Sequence, residues 1–465
     1  MTNDGANAVT CAKCGTVSPA GVRLCRHCWA PLPAAPTVHR DETELASGDR
    51  ERRGLNARSW ARIIATTVAV LFVAWVGYRT TDGRLFNRPG ALPAPGSTAN
   101  APALPGAWPL TNGGPTGTRT TAATVPFDGA PTWRTALPSP LIVPPVADAE
   151  HVFVSLTDGT LRAYRADDGS ELWQATVPGV LDAPPSVGDG LVYAGLRDTT
   201  VMALDAASGE QIWRINVGTS VSAAPLILDG TVYVLTNEEF LGLDAVSGRV
   251  LWRQSIRDKL AIAAPVANAD YIVFATYRRV SILDRKTGSE LFHWEILAAN
   301  GPIRSIAIDG NVLAMTAESG VFAIDLGLRR PWWEGVRRVW EFFHVIGLAP
   351  ASPWRAFLFS TRGARDHMAV VAADGALYAA DRGGTLRAFR SATGELLWTL
   401  PGPVTAPVTL TASGLLVPTR DGLSLVDPAT GNVTAERAVP EPVRHTVLIG
   451  DTLYLMSEDA ITAIR

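Results

Sequence analysis

The sequence predicts an all-β fold whose main part, residues 127–465, is an eight-bladed β-propeller. The first observation behind this prediction is a turn glycine that recurs along the chain, at positions 129, 169, 209, 248, 288, 394 and 431. A repeat of about 40 residues is typical of one four-stranded propeller blade. The second observation is the composition, with 42 glycines, 33 prolines and only 18% charged residues. Such a composition favours many short strands joined by tight turns.

Eight short segments have the pattern expected for the third strand of a blade. They are LRAYR (161–165), VMALD (201–205), FLGLD (240–244), VSILD (280–284), VFAID (321–325), LRAFR (386–390), LSLVD (423–427) and ITAIR (461–465). The last segment has no fourth strand after it, whereas PTWRTAL (131–137) has the pattern of a fourth strand with no blade before it. We expect residues 131–137 to complete the eighth blade, because closing the ring leaves no exposed sheet edge.

A tryptophan follows the turn glycine by four residues in most of the repeats. These tryptophans are Trp133, Trp173, Trp213, Trp252 and Trp398. Phe292 takes the position in another repeat, and Ala435 leaves it without a ring. At the start of an outer strand, a broad ring can pack against the neighbouring blade and bury roughly 150–250 Å². We therefore expect the tryptophans to dock each blade onto the next.

The full repeat reads A-x-D-x-x-[ST]-G-x-x-x-W and is clearest over residues 203–213, at Ala203, Asp205, Ser208, Gly209 and Trp213. It resembles the tryptophan-docking repeat of quinoprotein-type propellers, which have pyrroloquinoline quinone (PQQ)-like repeats. The resemblance extends from about residue 127 to residue 465. The family contains PQQ-dependent alcohol dehydrogenases and also the assembly lipoprotein of the outer-membrane β-barrel machinery. The resemblance therefore implies the fold and does not imply one activity.

Cysteines and acidic residues distinguish the two activities found in that family. Its dehydrogenases carry adjacent cysteines over the quinone, carboxylates that bind calcium and a catalytic aspartate, whereas residues 29–465 contain no cysteine. The acidic residues fall mostly at turns or strand ends, where carboxylates cap the backbone. They are Asp198, Glu238, Glu239, Asp270, Glu318, Asp374 and Asp381. We expect no catalytic residue and no bound PQQ.

These observations favour a non-enzymatic scaffold that binds a protein or a cell-envelope polymer. A PQQ-dependent oxidoreductase and a transmembrane sensor are the alternatives. The net charge of −3 provides no basic field for phosphate backbones, so we expect no nucleic acid partner.

Residues 9–32 contain two CxxC pairs. The cysteines are Cys11, Cys14, Cys25 and Cys28. Two such pairs supply the tetrahedral four-sulfur shell of structural zinc, and Gly15 allows the sharp turn after the first pair. The pattern resembles the short zinc ribbons of bacterial protein N-termini, while a redox dithiol and unligated cysteines are the alternatives. Because four sulfurs close the shell, we expect His27 to lie beside the metal without binding it.

Residues 60–79 predict a single transmembrane helix. After Arg62, sixteen residues carry no charge, and as a helix they would span roughly 25–30 Å. A signal peptide fits less well because the cysteine module precedes the apolar run. Arginines are more numerous before the run than after it, and zinc-binding thiolates suit a reducing compartment. We expect the N-terminus in the cytoplasm and the propeller outside it.

Two stretches without a repeat or periodicity flank this helix. Residues 33–59 are predicted as a linker and residues 80–126 as an extended tether. The second stretch is rich in Pro, Ala, Gly and Thr, which predicts that it cannot bury enough apolar surface to fold. We expect it to hold the propeller clear of the lipid.

One repeat is interrupted by an insertion over about residues 327–367. Its tryptophans and phenylalanines recur at helical spacing beside arginines, which is typical of an interfacial helix or a docking surface. Alternatively, residues 338–346 form an ordinary outer strand, because RVW at 338–340 repeats VLW at 250–252. Aromatic residues inserted at a propeller rim are candidates for partner binding. They are Trp332, Trp333, Trp354, Phe357 and Phe359.

Overall fold

A computed structural model gives the structure of the chain. It describes residues 8–19, 22, 24, 25, 27, 28, 30–32, 66–68 and 107–465, except for 180, 182, 257–262, 278, 296–301, 318–319, 327–356, 361–366, 382 and 403. The chain divides into two compact units, residues 1–81 and residues 82–465.

In the first unit, two short strands frame the first cysteine pair. β1 (Ala8–Thr10) pairs antiparallel with β2 (Val17–Pro19). Residues 66–68 are α-helical, while the rest of the helix predicted over 60–79 and the linker over 33–59 lie outside the described residues. Across the described part of the chain, no helix is long and apolar enough to cross a membrane.

The second unit contains eight antiparallel sheets of four strands each, which confirms the predicted propeller and its number of blades. Blade 1 comprises β4 (Val146–Ala147), β5 (His151–Ser155), β6 (Thr160–Arg165) and β7 (Glu171–Thr176). Blade 2 comprises β8 (Ser186–Gly188), β9 (Leu191–Gly195), β10 (Thr200–Asp205) and β11 (Gln211–Asn216). Blade 3 comprises β12 (Leu226–Leu228), β13 (Thr231–Leu235), β14 (Glu239–Asp244) and β15 (Val250–Ser255). Blade 4 comprises β16 (Val266–Ala267), β17 (Tyr271–Ala275), β18 (Arg279–Asp284) and β19 (Glu290–Glu295).

The remaining four blades follow in chain order, and the last one takes its fourth strand from the N-terminal side. Blade 5 comprises β20 (Ile303–Asp309), β21 (Val312–Ala317), β22 (Gly320–Asp325) and β23 (Phe357–Ser360). Blade 6 comprises β24 (His367–Ala373), β25 (Ala376–Asp381), β26 (Leu386–Arg390) and β27 (Leu396–Leu400). Blade 7 comprises β28 (Thr409–Thr411), β29 (Gly414–Thr419), β30 (Gly422–Val426) and β31 (Val433–Ala438). Blade 8 comprises β32 (His445–Ile449), β33 (Thr452–Met456), β34 (Ala460–Ile464) and β3 (Pro131–Ala136), so the predicted ring closure is confirmed.

Blade 2 shows why the repeat folds into a blade. Successive side chains of a strand point to opposite faces of the sheet. In β10, Val201 and Ala203 pack in the core shared with blade 3, while Met202 and Leu204 pack in the core shared with blade 1. The third strand is therefore apolar at consecutive positions, because both of its faces are buried.

The turn after β10 is fixed by two residues of the repeat. The Asp205 carboxylate accepts the backbone N–H groups of Ala207 and Ser208, at 3.1 and 2.8 Å. Gly209 has a φ of 74°, a conformation that favours glycine. The Asp and the Gly of the motif therefore make the reversal, and the outer strand β11 follows.

The first strand of each blade lies innermost, around the axis of the ring. First strands of neighbouring blades contact each other, as β4 does with β8 and β32. Because the strands of a blade alternate in direction, the turns between first and second strands lie on the same face as the turns between third and fourth strands. We name this face A, and we name the opposite face, which carries the turns between second and third strands, face B.

Residues 107–126 do not belong to the tether, and this part of the tether prediction is wrong. Trp108 is 2% exposed, and Leu110 and Val125 are buried as well. The segment folds because its backbone is hydrogen-bonded to the inner strands of the propeller, so it does not depend on its own periodicity to bury apolar surface. We name residues 107–125 the axial segment.

The outer strand of blade 5 lies later in the chain than residues 338–346, which one of the two alternatives made an outer strand. β23, at Phe357–Ser360, pairs with β22 and takes that edge of the blade. Phe359 lies opposite Ala323, in the register position that Trp213 occupies opposite Ala203 in blade 2. Phe357 and Phe359 therefore belong to the blade, and the insertion lies between β22 and β23. The R-V-W pattern at 338–340 could not show which segment forms the fourth strand, because this depends on which segment reaches the edge of β22.

Candidate functional site

The four N-terminal cysteines converge on one point. Their Sγ atoms all lie within 4.8 Å of one another. The sulfurs of Cys11 and Cys28 are 3.6 Å apart, as are those of Cys14 and Cys25. A tetrahedral zinc ion with Zn–S bonds of about 2.3 Å would separate its sulfurs by about 3.8 Å. The cluster therefore has the size of such a site, and the donor set fits zinc.

The loop around the first cysteine pair prepares its thiols for a cation. Gly15 has a φ of 74°, and its N–H donates to the carbonyl of Cys11 at 2.9 Å, which closes the turn. The Thr16 hydroxyl lies 3.3 Å from Cys14 Sγ. Its hydrogen bond, with others from the Thr16 backbone and from Cys28, lowers the pKa of that thiol to about 6. A thiolate is the form of cysteine that binds metals.

Docking tryptophans join neighbouring blades by one recurrent contact. The indole N–H donates to a backbone carbonyl of the next blade in four cases: Trp133 to Ala166 at 3.1 Å, Trp173 to Ala206 at 2.9 Å, Trp213 to Ala245 at 2.9 Å and Trp398 to Pro428 at 3.0 Å. Each ring also covers the turn glycine of that blade. A Cβ added to Gly209 would lie 2.6 Å from the Trp173 ring, and one added to Gly288 would lie 2.3 Å from the Trp252 ring.

The joint between blades 7 and 8 is built from different groups. Ala435 stands at the tryptophan position of blade 7, and Leu425 lies opposite it. Two residues further along the strand, Arg437 Nη1 donates to the carbonyls of Phe127 and Gly129, both at 2.7 Å. A guanidinium thus makes the contact that an indole N–H makes elsewhere.

The axial segment follows the inside of the ring from blade to blade. It exchanges backbone hydrogen bonds with the first strands of six blades, at Ala147, Val187, Ala267, Ile308, Ala372 and Leu410. Trp108 pairs antiparallel with Ala147, and Thr120 pairs parallel with Leu410. Because both first strands run towards face A, the segment runs inward from face A and returns to it.

Arg119 is the one charged residue of the axial segment, and only 5% of its surface is exposed. Its guanidinium donates to the carbonyls of Val408 and Thr111, at 3.0 and 2.9 Å, and to the hydroxyl of Thr409 at 3.4 Å. It also lies 5.4 Å from the centroid of the Trp108 ring, within the range of a cation–π contact. Burial lowers the pKa of Arg119 to about 10, so the side chain stays charged at neutral pH.

His445, the first residue of blade 8's innermost strand, lies in the same region. Burial lowers the pKa of His445 to about 4, and the charge of Arg119 lowers it as well. The imidazole is therefore neutral at pH 7. A row of hydroxyls continues along the segment, with 3.3 Å between Thr116 and Thr118 and 2.9 Å between Thr118 and Thr120.

A polar cavity of about 110 Å³ lies between blades 3 and 4. Its charged groups are Arg279 and Glu290, whose side chains are 2.6 Å apart. Burial raises the pKa of Glu290, but hydrogen bonds from His293 and Arg279 outweigh that effect and lower it to about 2. The cavity therefore contains an internally neutral ion pair, which suits water or a small polar molecule.

The acidic residues that were predicted as turn caps and that the structure describes are spread over blades 2, 3, 4 and 6. Asp198, Glu239 and Asp381 each accept a hydrogen bond from an arginine of their own blade, Arg214, Arg253 and Arg387 respectively. Glu318 lies outside the described residues. Among the residues that the structure describes, only the four cysteines form a group of Cys, His, Asp or Glu side chains close enough to hold a metal ion.

A family model covers most of the chain. The model described as "Outer membrane protein assembly factor BamB" matches residues 94–179, 157–341 and 349–463. The chain belongs to this family. No curated protein sequence matches it.

Solved structures with the same fold include both a BamB protein and dehydrogenases. The crystal structure of BamB from Moraxella catarrhalis matches with a TM-score of 0.55 at 18% identity, over 72% of this chain and 96% of that one. A quinohemoprotein alcohol dehydrogenase from Comamonas testosteroni matches with a TM-score of 0.58 at 15% identity, over 79% of this chain and 81% of that one. A europium-containing methanol dehydrogenase matches with a TM-score of 0.55 at 12% identity, over 76% and 89%. At such identities the likeness concerns the fold alone.

The candidate partner-binding residues of this BamB-family chain are placed only in part. Trp332, Trp333 and Trp354 lie outside the described residues. Phe357 and Phe359 lie on β23, of which the structure describes the backbone. The two ends of the insertion, at β22 and β23, lie on face A, because this connection joins a third strand to a fourth strand.

Sequence reasoning did not find the axial residues of this BamB-family propeller. Trp108, Leu110 and Val125 are the apolar residues that could have indicated them, because an unstructured tether has little use for buried aromatic and aliphatic side chains. Arg119 gave no signal, since a single arginine in a polar stretch is ordinary.

Proposed function

We propose that this chain is a non-enzymatic scaffold that binds protein partners outside the cytoplasm and is held at a membrane by its N-terminal part. The observation that carries the proposal is the occupied axis of the ring. A ligand enclosed by the blades would have to displace a segment that six blades hold by hydrogen bonds. The family description, an outer membrane protein assembly factor, supports a protein partner.

The insertion of blade 5 is the surface that we propose for this partner. The test is cross-linking of the full chain in native membranes, with Trp332, Trp333 and Trp354 replaced by alanine. The matched control replaces Val246, Leu396 and Leu397, which are exposed on other blades. We expect the cross-linked partner to be lost only in the first variant, with thermal unfolding unchanged in both. If the unaltered chain forms no cross-linked species, the scaffold function is contradicted. If the cross-linked species is retained in both variants, the assignment of this surface is contradicted.

A quinone-dependent oxidoreductase is the second candidate, because the dehydrogenases named above share the fold. The test is incubation of the purified chain with PQQ and calcium, followed by absorbance and dye-linked alcohol oxidation. The scaffold proposal expects no quinone absorbance after gel filtration and no turnover. Turnover above that of free PQQ would overturn it.

We also propose that the cysteine cluster holds one structural zinc ion. Zinc would fix the two CxxC loops against each other and would leave no open position for chemistry, because four thiolates complete its shell. Elemental analysis should find about one zinc per chain, since one four-sulfur site is present. Cys25→Ser should lose the metal and His27→Ala should keep it. Equal zinc content in Cys25→Ser and in the unaltered chain would contradict the assignment.

The membrane anchor and its orientation complete the proposal. They are supported by the uncharged run after Arg62 and by the arginines that precede it. Reporter fusions at the two ends of the chain test the orientation. We expect a reporter that is active only outside the cytoplasm to work at the C-terminus and to fail at the N-terminus, and the opposite pattern would contradict it.

A further inference from the structure

The axial segment is held by few bonds to each blade, and these bonds follow one another in chain order. Trp108 bonds to blade 1 and Pro109 to blade 2. Pro115 then bonds to blade 4 and Thr116 to blade 5, before the segment reaches blades 6 and 7. A pull from the N-terminal side would therefore load these bonds one blade at a time, starting at Trp108.

The strand that follows the axial segment is held in a different way. β3 pairs with β34 in an antiparallel register that runs from Pro131 opposite Ile464 to Ala136 opposite Ala460. A pull from the same side, with the propeller held at face B, acts along β3, so the hydrogen bonds of the pair share the load. Arg437 adds two further bonds just before the strand, at Phe127 and Gly129.

The axial segment enters and leaves the ring on the same face. The segment runs inward from face A at Trp108 and returns to face A after Thr120. A pull towards face A would therefore draw the chain back along the path by which it came in, without passing it through the ring. The close approach of Gly117 to the Ile306 carbonyl and the Val266 side chain would be released during this movement.

We propose that the axial segment is an extensible strap: tension from the N-terminal side draws residues 107–125 out of the axis while β3 keeps the ring closed. The nineteen residues would span roughly 65 Å when extended, so the connection would lengthen by up to roughly 60 Å. The strap would let the propeller stay bound to a partner at a varying distance from its anchor. This use in the cell rests on the membrane anchor proposed above, whereas the mechanical property does not.

Force spectroscopy on the full chain tests the strap directly. One handle is attached by a peptide tag inserted at Ser97, and the other by a tag inserted after Glu458, which is exposed at the turn between β33 and β34. This turn lies on face B, at the end of β34 that is remote from Pro131, so the handles load the β3–β34 pair along its strands and their separation reports on the strap. We expect a first, reversible lengthening of roughly 60 Å, before larger events of about 140 Å for each blade of about 40 residues. A first event longer than about 100 Å, or no event before the blades unfold, would overturn the proposal.

Two single substitutions separate the strap from the closure of the ring. Arg119→Leu removes the deepest contact of the strap and should lower the force of the first event without changing the later ones. Arg437→Leu is the matched control, because it should lower the force at which the ring opens and leave the first event unchanged. If both substitutions change the same event, the strap and the closing strand are one mechanical unit and the proposal fails.

A disulfide between the strap and blade 1 gives an independent test of the strap that does not depend on removing a charge. Trp108→Cys combined with Ala147→Cys places two cysteines at a bridge pair of the first bond. We expect the first lengthening to disappear when they are oxidised and to return on reduction. A first lengthening that persists in the oxidised form would contradict the path described here.

Discussion

The joints between repeats and the joint that closes the ring both hold neighbouring blades together, but they join residues at very different separations along the chain. A docking tryptophan contacts a residue about one repeat away, as Trp213 does with Ala245. The closing joint brings together residues from opposite ends of the propeller, as Arg437 does with Phe127 and β34 with β3. Local joints can form as each pair of blades folds, whereas the closing joint must first bring distant parts of the chain together. The difference indicates that stability is distributed over the repeats and that closure is a separate, later step.

The largest effect should come from a docking tryptophan. Trp213→Ala removes a buried ring and its hydrogen bond to Ala245, so we expect the free energy of unfolding to fall by about 3–5 kcal/mol. Equilibrium denaturation measures this loss. The control is Ile212→Ala, at a neighbouring position that is 47% exposed, with an expected change within about 0.5 kcal/mol. Similar losses in the two variants would contradict the docking role.

A smaller effect is expected at the closing joint. Arg437→Ala leaves the carbonyls of Phe127 and Gly129 without their charged donor, which should cost about 1.5–3 kcal/mol. The control is Arg444→Ala, because its partner Glu458 is exposed. Hydrogen exchange of β3 should accelerate in the Arg437 variant more than exchange of β10. Equal acceleration in both strands would mean that closure is not a separate step.

The smallest effect concerns the turns of the repeats at acidic pH. A hydrogen bond from the Ser208 hydroxyl, with others from backbone N–H groups, lowers the pKa of Asp205. Because this pKa is depressed in the folded state, its contribution to stability is present above the unfolded value of about 3.9 and is lost as the pH falls through the folded value. Asp205→Asn should therefore weaken the dependence of stability on pH below about pH 4, without changing that dependence near pH 7. A pH dependence identical to that of the unaltered chain would exclude this contribution.

The sequence predicts the repeated joints well and the axis poorly, for a physical reason. The turn at Gly209 and the alternation of β10 are local, so each repeat carries its own signal. The axial segment is held by bonds distributed over six blades, and no periodicity within residues 107–125 reports them. Its proline, glycine and threonine content is that of a tether. Burial of Arg119 thus follows from the ring and could not be derived from the segment itself, in which only apolar residues such as Trp108 gave a signal.

The fourth strand of blade 5 also could not be placed from the local sequence pattern alone. Residues 338–340 and residues 357–360 both suit an outer strand, and the choice depends on which one reaches the edge of β22. The structure gives this edge to Phe357–Ser360. Local pattern therefore predicted that a fourth strand exists but not where in the insertion it begins.

Hydrogen exchange at the inner strands is a direct test of whether the chain itself occupies the axis of the ring. The backbone N–H groups of Val187, Ala267 and Ile308 donate to carbonyls of the axial segment. We expect these three amides to be protected to the same extent as the amides that pair within their own sheets. Exchange at the rate of an unpaired amide, in a propeller whose blades remain protected, would show that the segment is not in the axis.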